Sequence, residues 1–368
     1  MPATLPTRPE TETEAGLRVL PHLDGARDPL HPEDRLRAIE RGARALRDEL
    51  AAGPTALYYR SFDLVRVPYP VKYGLSQAAR VATPLLHILN RVFVVQFRGG
   101  SGRTETLRFS PSDVQANKET PFFKRLAGQA RWLPGGERLL APVLGTVEGA
   151  LEACGLTPAD VDWISFDHLH TQDIRRWFGT PSLPGLFPRA RLLVTPQEWA
   201  SAQGPHLPWW NQWYVAGGVE GIDPARVVFF ARDVLLGEGV ALVRTPGHTE
   251  GNHSLAVHTS QGVLVTSENG VSADNYAPSQ SRIPGVARWA RETGAAVVLN
   301  GNTLERGIDQ YLSMVLEREL AGPCRRAPGF WNVVPSSELT PYWAFPGIRP
   351  SFQWGPLELG RPQPVTAS

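Results

Sequence analysis

The spacing of apolar positions changes from one segment of this chain to the next, and each change predicts an element. Over residues 32–50, PEDRLRAIERGARALRDEL, the apolar Leu36, Ile39, Ala43, Leu46 and Leu50 recur at helical intervals. Proline and acids stand at the start, and Gly53-Pro54 follows the end. That predicts an amphipathic helix. Next, NRVFVVQFRGGSGRTETLRFS sets a Val/Phe run and an alternating run on either side of Gly-Ser-Gly, the pattern of a β-hairpin. Residues 1–30 are polar and proline-rich and read as a mobile tail.

From residue 145 a rhythm of strand, loop and helix sets in. A helix over 145–154 closes at Gly155, and the short apolar strand VDWISF (161–166) follows. Strands are predicted at 191–195, 226–230 and 240–244, and a hairpin at 254–258 and 262–267. A helix at 284–293, a strand at 295–300 and a helix at 307–320 complete the series. Hairpins mixed with helix-linked strands predict an α/β fold in which helices cover two mixed sheets, a four-layer αββα sandwich. The expected division is a tail and helical extension over 1–84, the sandwich over 85–321, and a C-terminal extension over 322–368. That extension, rich in proline and aromatic residues, is expected to wrap the domain or to reach a partner subunit in a homodimer.

Composition narrows the function classes without choosing one. With 37 basic and 36 acidic side chains the net charge is +1, which gives no electrostatic footprint for nucleic acid or an anionic membrane. The two cysteines, Cys154 and Cys324, lie far apart and outside any CxxC, against a disulfide framework or a zinc ribbon. No secretory signal pattern and no bilayer-length apolar run are visible, so a cytoplasmic protein is expected.

Candidate chemistry gathers at strand ends. The segment SFDHLHTQD, residues 165–173, follows the strand at 161–166. In extended backbone His168 and His170 project to one side, with Asp173 a turn further on. In TPGHTEGNHS (245–254) a Pro-Gly turn exposes His248, in VLVTSEN a strand ends on Glu268, and in VVLNGN one ends near Asn302. Imidazole and carboxylate converging in this way suit one or two divalent ions, zinc first, with iron or manganese as alternatives.

The order HxHxxD, TPGHTxGxxS, strand-end acid and strand with Gly and a polar residue resembles the metallo-β-lactamase superfamily, and the likeness covers about residues 85–320. GALEACGLTPADVDWISFDHLHTQD resembles its helix, link, strand and metal loop, and FPRARLLVTPQEW its next strand. The resemblance implies the αββα fold and a metal-dependent hydrolase. It also implies metal ligands His168, His170 and His248, joined by Asp173 and Glu268, with Asp173 as catalytic proton carrier. The chain departs from the family's HxHxDH loop: Gln172 stands for its aspartate, Asp173 for its last histidine, Glu268 for its bridging aspartate and Asn302 for its final histidine. Three histidines with an open position lower the pKa of a bound water to ~7, enough for hydrolysis at neutral pH.

Plainer roles compete. Asp173 also suits the start of the IRRWF segment as a helix cap. Asn302 beside glycine suits a turn. His253 reads as structural, and His87 has no constellation around it. In LPWWNQWY (207–214), Trp209, Trp210, Trp213 and Tyr214 form either an apolar wall for a substrate or a packed insertion. The expected activity is cleavage of an ester, lactone or related acyl bond of a small, fairly apolar molecule. An iron-dependent oxidoreductase and a binding protein with a decayed metal site are the alternatives.

Overall fold

A computed structural model describes residues 8–130, 135–204, 212–301, 306–345 and 347–364. Among them, one nine-stranded sheet contains β1 (Glu10–Thr11), β3 (Tyr58–Pro70), β4 (Leu85–Arg98), β5 (Thr104–Phe109), β6 (Trp163–Ser165), β7 (Arg191–Val194), β8 (Val227–Phe229), β13 (Ser337–Thr340) and β14 (Glu358–Gly360). A five-stranded sheet holds β2 (Arg18–Val19), β9 (Val234–Gly237), β10 (Val240–Arg244), β11 (His253–Thr259) and β12 (Gly262–Thr266). Strands β5 to β8 run parallel, whereas β3, β4 and β5 are antiparallel, so the larger sheet is mixed.

Side-chain alternation makes the layers. On β4, Phe93, Val95 and Phe97 face the second sheet and meet Val240, Leu242, Leu255 and Val257. Their neighbours Val92 and Val94 face outward, onto the helix Val147–Glu152 and Trp177. On β10, Ala241 and Val243 face the helices Pro32–Ala52 and Gly307–Ala321, which bury Ile39, Leu46, Val315 and Leu320 on them. Each strand thus serves two cores through its period of two. The four-layer αββα sandwich is present, with both long helices where the apolar spacing put them.

Three expectations are corrected. The segment after Arg8 is not a mobile tail: β1 pairs with β8 and β2 with β9. Residues 295–300 lie outside any ladder. Two of their amides bond instead outside any strand, Val298 to the Asn275 carbonyl in the short helix Ala273–Tyr276 at 2.8 Å and Asn300 to that of Asn269 at 3.0 Å. Tyr58–Pro70, expected within an extension, is the long neighbour of β4. The boundaries at 84 and 321 remain a proposal about independent folding, since β3 and β13 both hydrogen-bond to β4. Both cysteines are buried free thiols. Among the described residues, no helix is long and apolar enough to cross a membrane.

His87, on β4, is buried with its ring stacked on Tyr342, centroids 3.8 Å apart. Burial, with Arg66 nearby, lowers its pKa to about 4. The unfolded chain binds this proton near pH 6.5 and the folded chain only near pH 4, so stability falls as pH drops through that interval. His87→Phe, which keeps the stacking, is expected to lose less melting temperature between pH 7 and pH 4 than the wild type, followed by circular dichroism.

Candidate metal centre

The parallel strand β6 ends at Ser165, and the chain continues past its tip through Asp167, His168 and His170. At Thr171 the backbone enters the left-handed region, φ +63°, and the extended run stops. His168 and His170 therefore share a side, and Asp173 is carried away from them. The third imidazole comes from the loop between β10 and β11. Gly247 allows this loop to press on a helix, since a Cβ there would lie 2.2 Å from Gln310 Cα. Gly251 does the same against Glu198, whose backbone N would lie 2.2 Å from an added Cβ.

His168, His170 and His248 are buried, and their candidate ligand atoms all lie within 4.8 Å of one another. Ring centroids are 4.6 Å apart for His168 and His248, 4.9 Å for His168 and His170, and 5.3 Å for His170 and His248. A second group at the same spacing joins Asp167, His168 and the half-buried Glu268. Burial opposes a charge on His168, but the Asp167 carboxylate outweighs it, with Glu268 and Glu198, and raises its pKa to about 9. Burial and then the His168 charge push His248 down to about 3, so it is a neutral imidazole at pH 7. Glu268 is pushed up to about 7 by burial, which His168 opposes. Buried carboxylates around three imidazoles are a donor set suited to a divalent cation.

The two-sheet sandwich with this cluster at its strand tips has the layered arrangement that the sequence resemblance implied. Among solved structures, the chain is similar to a quorum-quenching N-acyl homoserine lactone lactonase, at 14% identity over 72% of this chain and 86% of that one, with a TM-score of 0.45. It is also similar to AidC, a dizinc quorum-quenching lactonase, at 12% identity over 81% and 96% of the two chains, with a TM-score of 0.48. A probable metal-dependent hydrolase from Staphylococcus aureus is 10% identical over 70% and 82%, with a TM-score of 0.47. No family model matches the chain, and no curated protein matches it. Similarity of this degree carries no argument about activity, which rests on the site's own geometry.

The remaining candidates separate. Asp173 belongs to neither donor group. Its carboxylate grips the Arg175 guanidinium through both oxygens and accepts the Arg175 backbone N–H at 3.1 Å. Beyond the left-handed Thr171, Asp173 lies just ahead of the helix Arg175–Phe178 and pairs with its first residue. Gln172 donates to Ser112 Oγ at 3.0 Å. Trp213 lines the pocket above His170, its ring 6.0 Å from the imidazole and stacked on Phe122. Tyr214 is buried behind His170 and donates to Glu198 at 3.2 Å. Trp209, Trp210 and Asn302 lie outside the described residues. His253 is structural: its ring packs against Phe230 and contacts Ser165 Oγ at 2.8 Å.

Three supporting residues escaped the sequence reading. Asp167 touches His168 directly, with Oδ1 3.0 Å from Nδ1. Its place beside HxH was the available signal, because metal-bound histidines commonly lean on a carboxylate. Glu198 is fully buried and accepts from the Leu169 amide at 2.7 Å and the Thr249 hydroxyl at 2.6 Å. It therefore ties together the two loops that carry all three histidines. Asn269 accepts the His248 amide at 3.0 Å and donates to the buried Glu317 at 2.7 Å. Nothing local in the sequence marks Glu198 or Asn269.

The pocket is open to solvent on one side and has a cavity volume of about 130 Å³. The histidines and Glu268 occupy one region, and Val65, Val67, Ile88, Phe123, Leu126, Leu140 and Trp213 make apolar wall.

Two outcomes are expected. Glu198→Ala leaves the Leu169 amide and the Thr249 hydroxyl without an acceptor and costs about 1–3 kcal/mol for each in urea unfolding of the metal-free protein, with Glu198→Gln losing less. Asp173→Ala removes an ion pair and the acceptor of the Arg175 N–H, costs about 1 kcal/mol of stability, and leaves bound metal unchanged by elemental analysis.

Proposed function

We propose that this chain is a metal-dependent hydrolase that cleaves an ester, lactone or related acyl bond of a small, largely apolar molecule. The observation that carries the proposal is three buried imidazoles with ligand atoms within 4.8 Å of one another, opening into an apolar-walled pocket. His168, His170 and His248 would hold the ion. When bound, it supplies Lewis acidity at the scissile carbonyl and a water acidic enough to act near neutral pH.

The chain's own groups do the rest. Asp167 orients His168. Glu268 lines the pocket beside that imidazole, and its carboxylate takes up a proton released during the reaction, the role that sequence had offered to Asp173. Val65, Val67, Ile88, Leu126 and Trp213 take the apolar part of the substrate and exclude water from it.

Purified protein is expected to carry metal and to hydrolyse members of a panel of lactones, esters and thioesters. His248→Ala is expected to lose the ion and at least 100-fold in kcat/KM, since an open-site metal is the principal source of rate in such centres. Protein that holds no stoichiometric metal, or a His248→Ala variant as active as the wild type, would sink the proposal.

A further inference from the structure

The carboxylates placed to hold a second ion are already engaged by the chain's own donors. Asp173 is held by Arg175. Asp167 gives Oδ1 to the backbone N–H and to Nδ1 of His168, both at 3.0 Å. Its other oxygen, Oδ2, accepts from the Ser336 hydroxyl at 2.5 Å. Glu268 accepts from the Ser337 hydroxyl at 2.8 Å. A serine pair from the far end of the chain thus holds both carboxylates of the second donor group.

The pairing is firmly mounted. Ser337 begins β13, opposite Asn90 of β4, and the Ser336 carbonyl accepts the Arg91 amide at 2.9 Å. Ser336, Ser337 and Asp167 are all buried, so the hydroxyls compete with little water for their acceptors. Asp167 as a carboxylate can only accept, so its contact at His168 Nδ1 requires that nitrogen to donate. Nε2 of His168 is then the nitrogen left for an ion, and Asp167 acts as its orienting partner and not as a ligand.

We infer that the centre takes one ion, at His168, His170 and His248, and that Asp167, Ser336 and Ser337 are positioning residues standing where a second ion would need ligands. The inference rests on the hydrolase reading above. A second ion at the Asp167–Glu268 position would compete with the His168 contact and the two serine hydroxyls for the carboxylate lone pairs.

The test is a metal count on the full chain. Metal-free protein titrated with zinc is expected to show one class of sites, and elemental analysis after dialysis one ion per chain. Two ions per chain would overturn the inference and leave the hydrolase standing; none would sink both. Asp167→Asn is expected to weaken zinc affinity about 10–100-fold. Ser336→Ala should weaken it about tenfold, with Ser336→Thr restoring it. Unchanged affinity in Asp167→Asn and Ser336→Ala overturns the positioning role. The wild-type count decides the number of ions even where a variant fails to fold.

Discussion

Backbone amides buried beside the three imidazoles must find acceptors inside the protein, and buried carboxylates meet that demand. Glu198 accepts from Leu169, between the two histidines of the first loop, and from Thr249, next to the third. Glu317 reaches the second loop through Asn269, which accepts the His248 amide. A buried donor left without an acceptor costs about 1–3 kcal/mol, so these loops have few alternative conformations. The layered fold brings the loops together, but the carboxylates hold them still.

Both carboxylates sit on helices, Glu198 on Pro196–Gln203 and Glu317 on Gly307–Ala321. The same long helix donates Ser313 Oγ to the Pro246 carbonyl at 2.6 Å and Gln310 Nε2 to that of Asn300 at 2.8 Å. One face of it therefore packs on the smaller sheet while polar groups near its start clasp the His248 loop. Packing and site geometry are coupled through a single element, and a shift in that helix would move an imidazole.

Local pattern made much of this legible. Apolar runs gave β4 and β10, alternation gave β5, and helical spacing gave Pro32–Ala52 and Gly307–Ala321 to within a residue or two. The three histidines could be read because HxH and Pro-Gly-His are short motifs at strand ends. What could not be read depends on partners distant in sequence. Glu198 stands 29 residues beyond the amide it accepts and Ser336 stands 169 beyond Asp167. The pairing of Asp173 with Arg175, beyond the left-handed Thr171, is likewise invisible to local spacing. The strand Tyr58–Pro70 was missed although its residues alternate, because charged and proline positions dilute the signal until β4 and β14 flank it.

Seating Ser336 and Ser337 against Asp167 and Glu268 has a consequence for biosynthesis. A growing polypeptide whose first 300 residues had already condensed into helices and sheets would still hold two charged oxygens facing solvent with no hydroxyl to receive. The centre matures only after β13 has left the ribosome and zipped alongside β4.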